Sequence, residues 1–115
     1  MISEKELYLA FLELTDNLEL YGVTCGLNIR LNKSVPSVAV MEMFDTFEKM
    51  IELSLDNLSA VNISVTLNDG IFTMTVTAES STDFNVMNGD FVTAVCDDDG
   101  EWQIVYRREA KRCKA

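Results

Sequence analysis

The stretch that decides the fold is Pro36–Leu58, PSVAVMEMFDTFEKMIELSLDNL, the longest helical pattern in the chain. Its apolar residues recur at steps of three or four, which is the spacing of one face of an α-helix. They are Val40, Phe44, Phe47, Ile51, Leu55 and Leu58. The opposite side is mostly acidic, and a strand pattern lies on each side of the helix in sequence. We therefore expect this helix to lie across a sheet and to build the core with it.

A second helix is predicted at the N-terminus. Ser3 and Glu6 form the pattern of a capping box, in which each side chain satisfies a free backbone N–H of the other residue. One apolar face follows, and Gly22 supplies the stop because it adopts a left-handed conformation without strain. That face comprises Leu7, Phe11, Leu14, Leu18 and Tyr21.

Alternation of apolar and polar residues predicts five strands. They cover residues 23–31, 61–67, 71–78, 91–96 and 102–106. Asn68-Asp69-Gly70 predicts a tight hairpin turn, and Asp97–Gly100 a charged turn between the last two strands. Phe91–Cys96 is apolar on both faces, which predicts a central strand, and Glu79–Gly89 is a polar loop. The order α-β-α-β-β-β-β predicts an α+β two-layer sandwich, with a mixed sheet of about five strands and two helices on one face.

Length and charge bound the organisation and the partners. The 115 residues suit one domain, residues 1–106, followed by a basic tail, residues 107–115. Residues 1–106 hold eighteen acidic and four basic residues, a net charge of −14, whereas the tail carries +4. An acidic body repels nucleic acid and anionic membrane surfaces, so we expect a protein partner or self-association and no nucleic acid.

The number and spacing of the cysteines, the absence of histidine and the short apolar runs exclude several functions. Cys25, Cys96 and Cys113 are odd in number and lack metal-ligand spacing, which predicts a reduced, cytoplasmic protein without a metal site. We expect Cys25 and Cys96 to pack inside strands. The absence of histidine excludes His-based catalysis and a phosphoacceptor histidine within this chain. No apolar run reaches the ~18 residues of a membrane span, so this segment is not expected to insert into a membrane.

The order of elements resembles the ATP-binding domain of histidine kinases, the GHKL or Bergerat fold. Leu20-Tyr21-Gly22-Val23 is similar to the join of the family's first helix to the next strand, and Val35-Pro36 to the proline before its Asn-box helix. The resemblance covers nearly the whole chain. It implies the C-terminal part of a longer sensor kinase-like protein of Gram-positive anaerobes, within a two-component system and with membrane helices upstream.

The family's nucleotide boxes are altered in this chain. Where the family has Glu-Asn-Ala-Ile, this sequence has Phe44-Asp45-Thr46-Phe47, so Asp45 stands near the magnesium-binding Asn and Phe44 replaces the acid. After the hairpin, Val76–Ser81 contains no Asp-x-Gly, and only Glu79–Gly89 fills the place of the Gly-rich box and lid. All five glycines are isolated, whereas a phosphate cradle needs closely approached backbone N–H groups and is glycine-rich.

These departures predict a degenerate domain that signals through protein contacts, with no catalytic residue, no metal and no bound cofactor. One alternative is a working but divergent ATP- and Mg-binding kinase domain, in which Asp45 and Glu48 on one helix face hold the metal. Another is an unrelated small α+β interaction module.

Overall fold

Two helices and five strands follow one another in the predicted order in the computed structural model, which describes residues 1–110. The elements are α1 (Glu4–Leu20), β1 (Thr24–Arg30), α2 (Ser37–Ser54), β2 (Ala60–Asn68), β3 (Ile71–Glu79), β4 (Val92–Cys96) and β5 (Glu101–Glu109). A short 3₁₀ helix, Asn85–Met87, lies between β3 and β4. The α+β prediction is confirmed.

The strands form one mixed sheet in the order β1-β2-β3-β5-β4. β1 and β2 are parallel, and the other neighbours are antiparallel. The prediction of a central position for Phe91–Cys96 is wrong, because β4 pairs only with β5 within the described sheet and lies at its edge. Val95, on the second face of β4, is 57% exposed, so this face of the strand is not covered as a central strand would be.

The turn between β2 and β3 has the predicted tight form. Asn68 pairs with Ile71, which leaves a two-residue loop. Asp69 and Gly70 both have positive φ angles, 53° and 77°, as a type I′ turn requires. The hairpin therefore fixes the register of the two strands that carry the centre of the sheet.

The capping box of α1 is present, with Ser3 and Glu6 each bonded to the other's backbone N–H. Gly22 ends the segment with φ +83°. Most of the predicted apolar face is buried or half-buried, but Tyr21 is 73% exposed. It follows the last helical residue, where the chain turns into β1, so the predicted burial of Tyr21 is wrong.

α2 packs with a face that is rotated from the predicted one. Its buried residues are Ala39, Val40, Met43, Phe47, Met50 and Ser54. Phe44 and Ile51 are only partly buried, and Leu55 is exposed. Leu58 is buried but lies beyond the end of the helix. The rotation arises because α2 contacts α1 as well as the sheet, and the predicted stripe combined the two contact surfaces.

Cys96 and the C-terminus also differ from the prediction, whereas Cys25 packs against the core from β1. Cys25 is half-buried, and burial raises the pKa of its thiol. Cys96 is exposed, because edge strand β4 leaves it uncovered, so its predicted burial is wrong. Arg107 and Arg108, assigned to the tail, belong to β5. Cys113 lies outside the described residues. In residues 1–110, no helix is long and apolar enough to span a membrane.

Candidate functional site

The two acids predicted as alternative metal ligands, Asp45 and Glu48, lie three residues apart on α2. Asp45 and Glu48 are both exposed, and Glu48 lies at the rim of a cleft that α2 forms with α1. Asp45 is not among the residues that line this cleft. Within residues 1–110, no group of three or more His, Cys, Asp or Glu side chains is arranged to hold a metal ion.

Phe44, which stands where the resemblance expects an acid, packs between the two helices. Its ring centroid lies 4.8 Å from that of Phe11 on α1. Phe47 contacts the same Phe11 ring edge-to-face at 5.6 Å. Phe11 is fully buried, so this three-ring cluster fixes α2 against α1. The side chain at position 44 therefore serves packing.

Hydrogen bonds fix the segment after β3 to the residues that follow α2. The Thr82 hydroxyl donates a 2.8 Å hydrogen bond to Asn57 Oδ1, just beyond the end of α2, and the Ser80 hydroxyl donates to the same oxygen. Further on, Phe84 is fully buried and contacts Trp102 of β5 edge-to-face at 5.5 Å. Met87 is buried as well. These contacts hold the segment between β3 and β4 against the residues after α2 and against β5.

The burial of Phe84 and Met87 was not predicted, because the segment 79–89 is polar in composition. The available signal was the spacing of Phe84 and Met87, its two buried apolar residues, at i and i+3. That spacing is one turn of a helix, and the structure has a 3₁₀ turn there.

A polar cluster joins α2 to β5. Tyr106 Oη donates a 2.9 Å hydrogen bond to Glu42 Oε2, and Arg108 forms an ion pair with the same carboxylate. The Arg108 guanidinium also lies 4.9 Å from the centre of the Phe91 ring, a cation–π contact. The hydrogen bond from Arg108, with that from Tyr106, lowers the pKa of Glu42. Burial, together with the Glu42 carboxylate, raises the pKa of Tyr106 far above its usual value, so this hydroxyl stays protonated.

An apolar cleft opens between α1 and α2. Its volume is about 250 Å³. The apolar lining comprises Leu14, Leu18, Tyr21, Phe47, Ile51 and Leu55. Its polar lining residues are Asn17, Glu48 and Glu52. The cleft thus has an apolar floor and an acidic rim.

No protein-family model matches the chain, and no curated protein matches it in sequence. Several solved structures are similar in fold, and two of them are histidine kinases. The histidine kinase AdeS of Acinetobacter baumannii matches with a TM-score of 0.60 at 9% identity, over 95% of this chain and 66% of the AdeS chain. The catalytic domain of the histidine kinase ThkA, in a nucleotide-free form, matches with a TM-score of 0.60 at 7% identity, over 96% of this chain and 92% of its own. The chain therefore has a histidine kinase-like fold.

Proposed function

We propose that this chain is a degenerate histidine kinase-type ATP-binding domain, which acts in signal transduction through protein contacts and hydrolyses no nucleotide. The histidine kinase-like fold supports the first part of the proposal. The packing of Phe44 against Phe11 supports the second, since the box position that should carry an acid holds an apolar ring instead. We place the domain in the cytoplasm, as part of a longer sensor protein.

The chemistry of phosphate binding supports the same conclusion. Binding the phosphates of a nucleoside triphosphate requires converging backbone N–H groups or cationic side chains. The isolated glycines offer no Gly-x-Gly loop, and α2 carries four acidic residues against Lys49 as its one basic residue. An acidic helix surface repels the phosphates unless a metal ion bridges them.

Titration with ATP and magnesium tests the proposal. We expect no change in the melting temperature at millimolar ATP, measured against magnesium alone and against ATP with a chelator. A ligand at 100-fold excess over its Kd stabilises the folded state by roughly 2.7 kcal/mol. An active histidine kinase catalytic domain, melted in parallel, serves as the positive control.

The alternative function has a distinct signature in the same assay. If ATP and magnesium bind through the α2 acids, both Asp45→Ala and Glu48→Ala remove the stabilisation, whereas Glu52→Ala leaves it. That pattern would establish a working ATP-binding domain and end the proposal of degeneracy.

The proposed sensor context is tested in the genome. Membrane helices encoded in frame ahead of this segment would support it. A full gene in which no membrane helix precedes this segment would contradict it and leave an inactive interaction domain without a sensor part.

A further inference from the structure

The cleft between α1 and α2 exposes apolar surface that no described element covers. Leu55 at its edge is 38% exposed, and Tyr21 at its end is 73% exposed. Leu20, next to Tyr21 in the chain, is 84% exposed. Single exposed apolar residues are ordinary, but a contiguous apolar cleft rimmed by polar groups marks an interaction site.

The size of the cleft argues against a small molecule as its ligand. Its volume of about 250 Å³ lies below the roughly 300–1,000 Å³ of typical small-molecule pockets. The cleft also lies open between two helices. This shape suits a few anchoring side chains from a partner that lies along the surface.

The charge around the cleft restricts the partner. α1 and α2 together hold nine acidic residues and two lysines, a net charge of −7. Glu48 and Glu52 are part of the cleft lining itself. A second copy docked cleft to cleft would bring these carboxylates against their own equivalents, because a two-fold interface pairs the same patch with itself. Anionic lipid surfaces and nucleic acids meet the same repulsion.

We propose that the cleft is the docking site for a basic amphipathic helix of a protein partner. Apolar residues of that helix, spaced at i, i+3 or i+4 and i+7, enter between Leu14 on α1 and Ile51 on α2, next to Leu55 at the C-terminal end of α2. Its flanking Lys and Arg side chains reach Glu48 and Glu52. The inference rests on the proposed function, in which the domain acts through protein contacts, and names the surface and the chemistry of the contact.

A synthetic helix of leucine and lysine, labelled with a fluorophore, is the probe for this site. Binding to the full chain is followed by fluorescence anisotropy at physiological salt. A peptide with the same pattern but glutamate in place of lysine, and a scrambled leucine–lysine peptide, are the peptide controls. We expect the basic helix to bind at least tenfold more tightly than either control.

Two pairs of variants test whether the peptide enters the cleft. Leu55→Ser removes an exposed apolar residue of the cleft, and Leu9→Ser removes one elsewhere on α1. The Glu48→Gln/Glu52→Gln variant neutralises the rim, and Glu79→Gln/Glu101→Gln removes the same charge where β3 pairs with β5. We expect each cleft variant to weaken binding about tenfold and each control variant less than twofold.

Three outcomes overturn the inference. The first is equal loss of binding in Glu79→Gln/Glu101→Gln, which would reflect general electrostatic attraction. The second is equal binding of the scrambled peptide. The third is a dimer, seen by sedimentation without peptide, that Leu55→Ser dissociates, since the occupant would then be a second copy. The substituted residues are exposed, and melting curves confirm that each variant is folded.

Failure of this inference is distinguishable from failure of the proposed function. Peptide binding outside the cleft leaves a domain that acts through contacts on another surface. Stabilisation by ATP and magnesium overturns the degenerate assignment, whatever the peptide does.

Discussion

The substitution Tyr106→Phe removes the hydrogen bond between Tyr106 and Glu42 by deleting a single oxygen atom. The variant deletes the hydroxyl that donates to Glu42 Oε2 and keeps the buried ring. Hydrogen bonds to charged groups contribute about 1.5–3 kcal/mol. Because the Glu42 side chain is 38% exposed, water replaces part of the lost contact. We therefore expect a loss of about 1–1.5 kcal/mol at pH 7, or a fall of about 5 °C in melting temperature.

The cost of Tyr106→Phe should depend on pH in a defined direction. Arg108 and Tyr106 lower the pKa of Glu42 in the folded state from its ordinary value of 4.5. A lowered carboxylate pKa stabilises the folded state above the unfolded-state pKa, and this stabilisation is lost as the pH falls through the folded-state pKa. The difference between the variant and the parent should thus be full at pH 7 and shrink as the pH falls below about 4.5.

Urea unfolding followed by circular dichroism, repeated from neutral to acidic pH, measures this difference. Tyr21→Phe is the matched control, because that hydroxyl lies on an exposed side chain, and it should cost almost nothing. The reasoning would be refuted if Tyr106→Phe lowered the free energy of unfolding at pH 7 no more than the control does. It would also be refuted if the loss were constant across the pH series.

Two further predictions concern the helices. Phe11→Ala removes a fully buried ring and should destabilise the fold by about 3–5 kcal/mol in urea unfolding. A double-mutant cycle with Phe44→Ala should show a coupling energy of about 0.5–1.5 kcal/mol. Zero coupling would contradict the ring contact. Ser3→Ala breaks the capping box and should cost about 1 kcal/mol by the same measurement, whereas Ser37→Ala, in a helix whose start has no side-chain cap, should cost little.

The types of the elements were predictable because the signals for them are local. The Ser3 cap, the Asp69-Gly70 turn and the alternation in the strands act within a few residues. The position of β4 was not predictable in this way. It depends on β5 pairing with β3, which joins segments far apart in sequence, and the apolar pattern of β4 does not distinguish an edge from a centre.

The face of α2 was predicted only approximately, because apolar residues surround much of that helix. Val38, Met41 and Leu53 are large, apolar and exposed, so several stripes fit the helical period. Periodicity shows that a helix is amphipathic, but not which part of its apolar arc meets the sheet and which meets a second helix. The cleft exists because α1 leaves part of that second surface uncovered.

The candidate site was predictable only where it rests on motifs. Phe44 is visible in the sequence, and its assignment to a box position that carries an acid comes from the resemblance alone. The contact between Glu42 and Tyr106 joins residues 64 positions apart and leaves no local pattern. Nor does the polar composition of the segment after β3 show that Phe84 is buried against Trp102.

The proposed loss of nucleotide binding is compatible with a stable fold for a physical reason. The core of such a domain depends on apolar periodicity and turn residues, which very different sequences supply, as the identities of 7% and 9% to domains of the same fold illustrate. A nucleotide site adds polar residues and mobile loops that contribute little to the core and often reduce stability. Here Phe84 is fully buried against Trp102, and full burial of a Phe side chain stabilises by about 1.5–3 kcal/mol. Packing of this kind stabilises the fold without any contribution from a bound nucleotide.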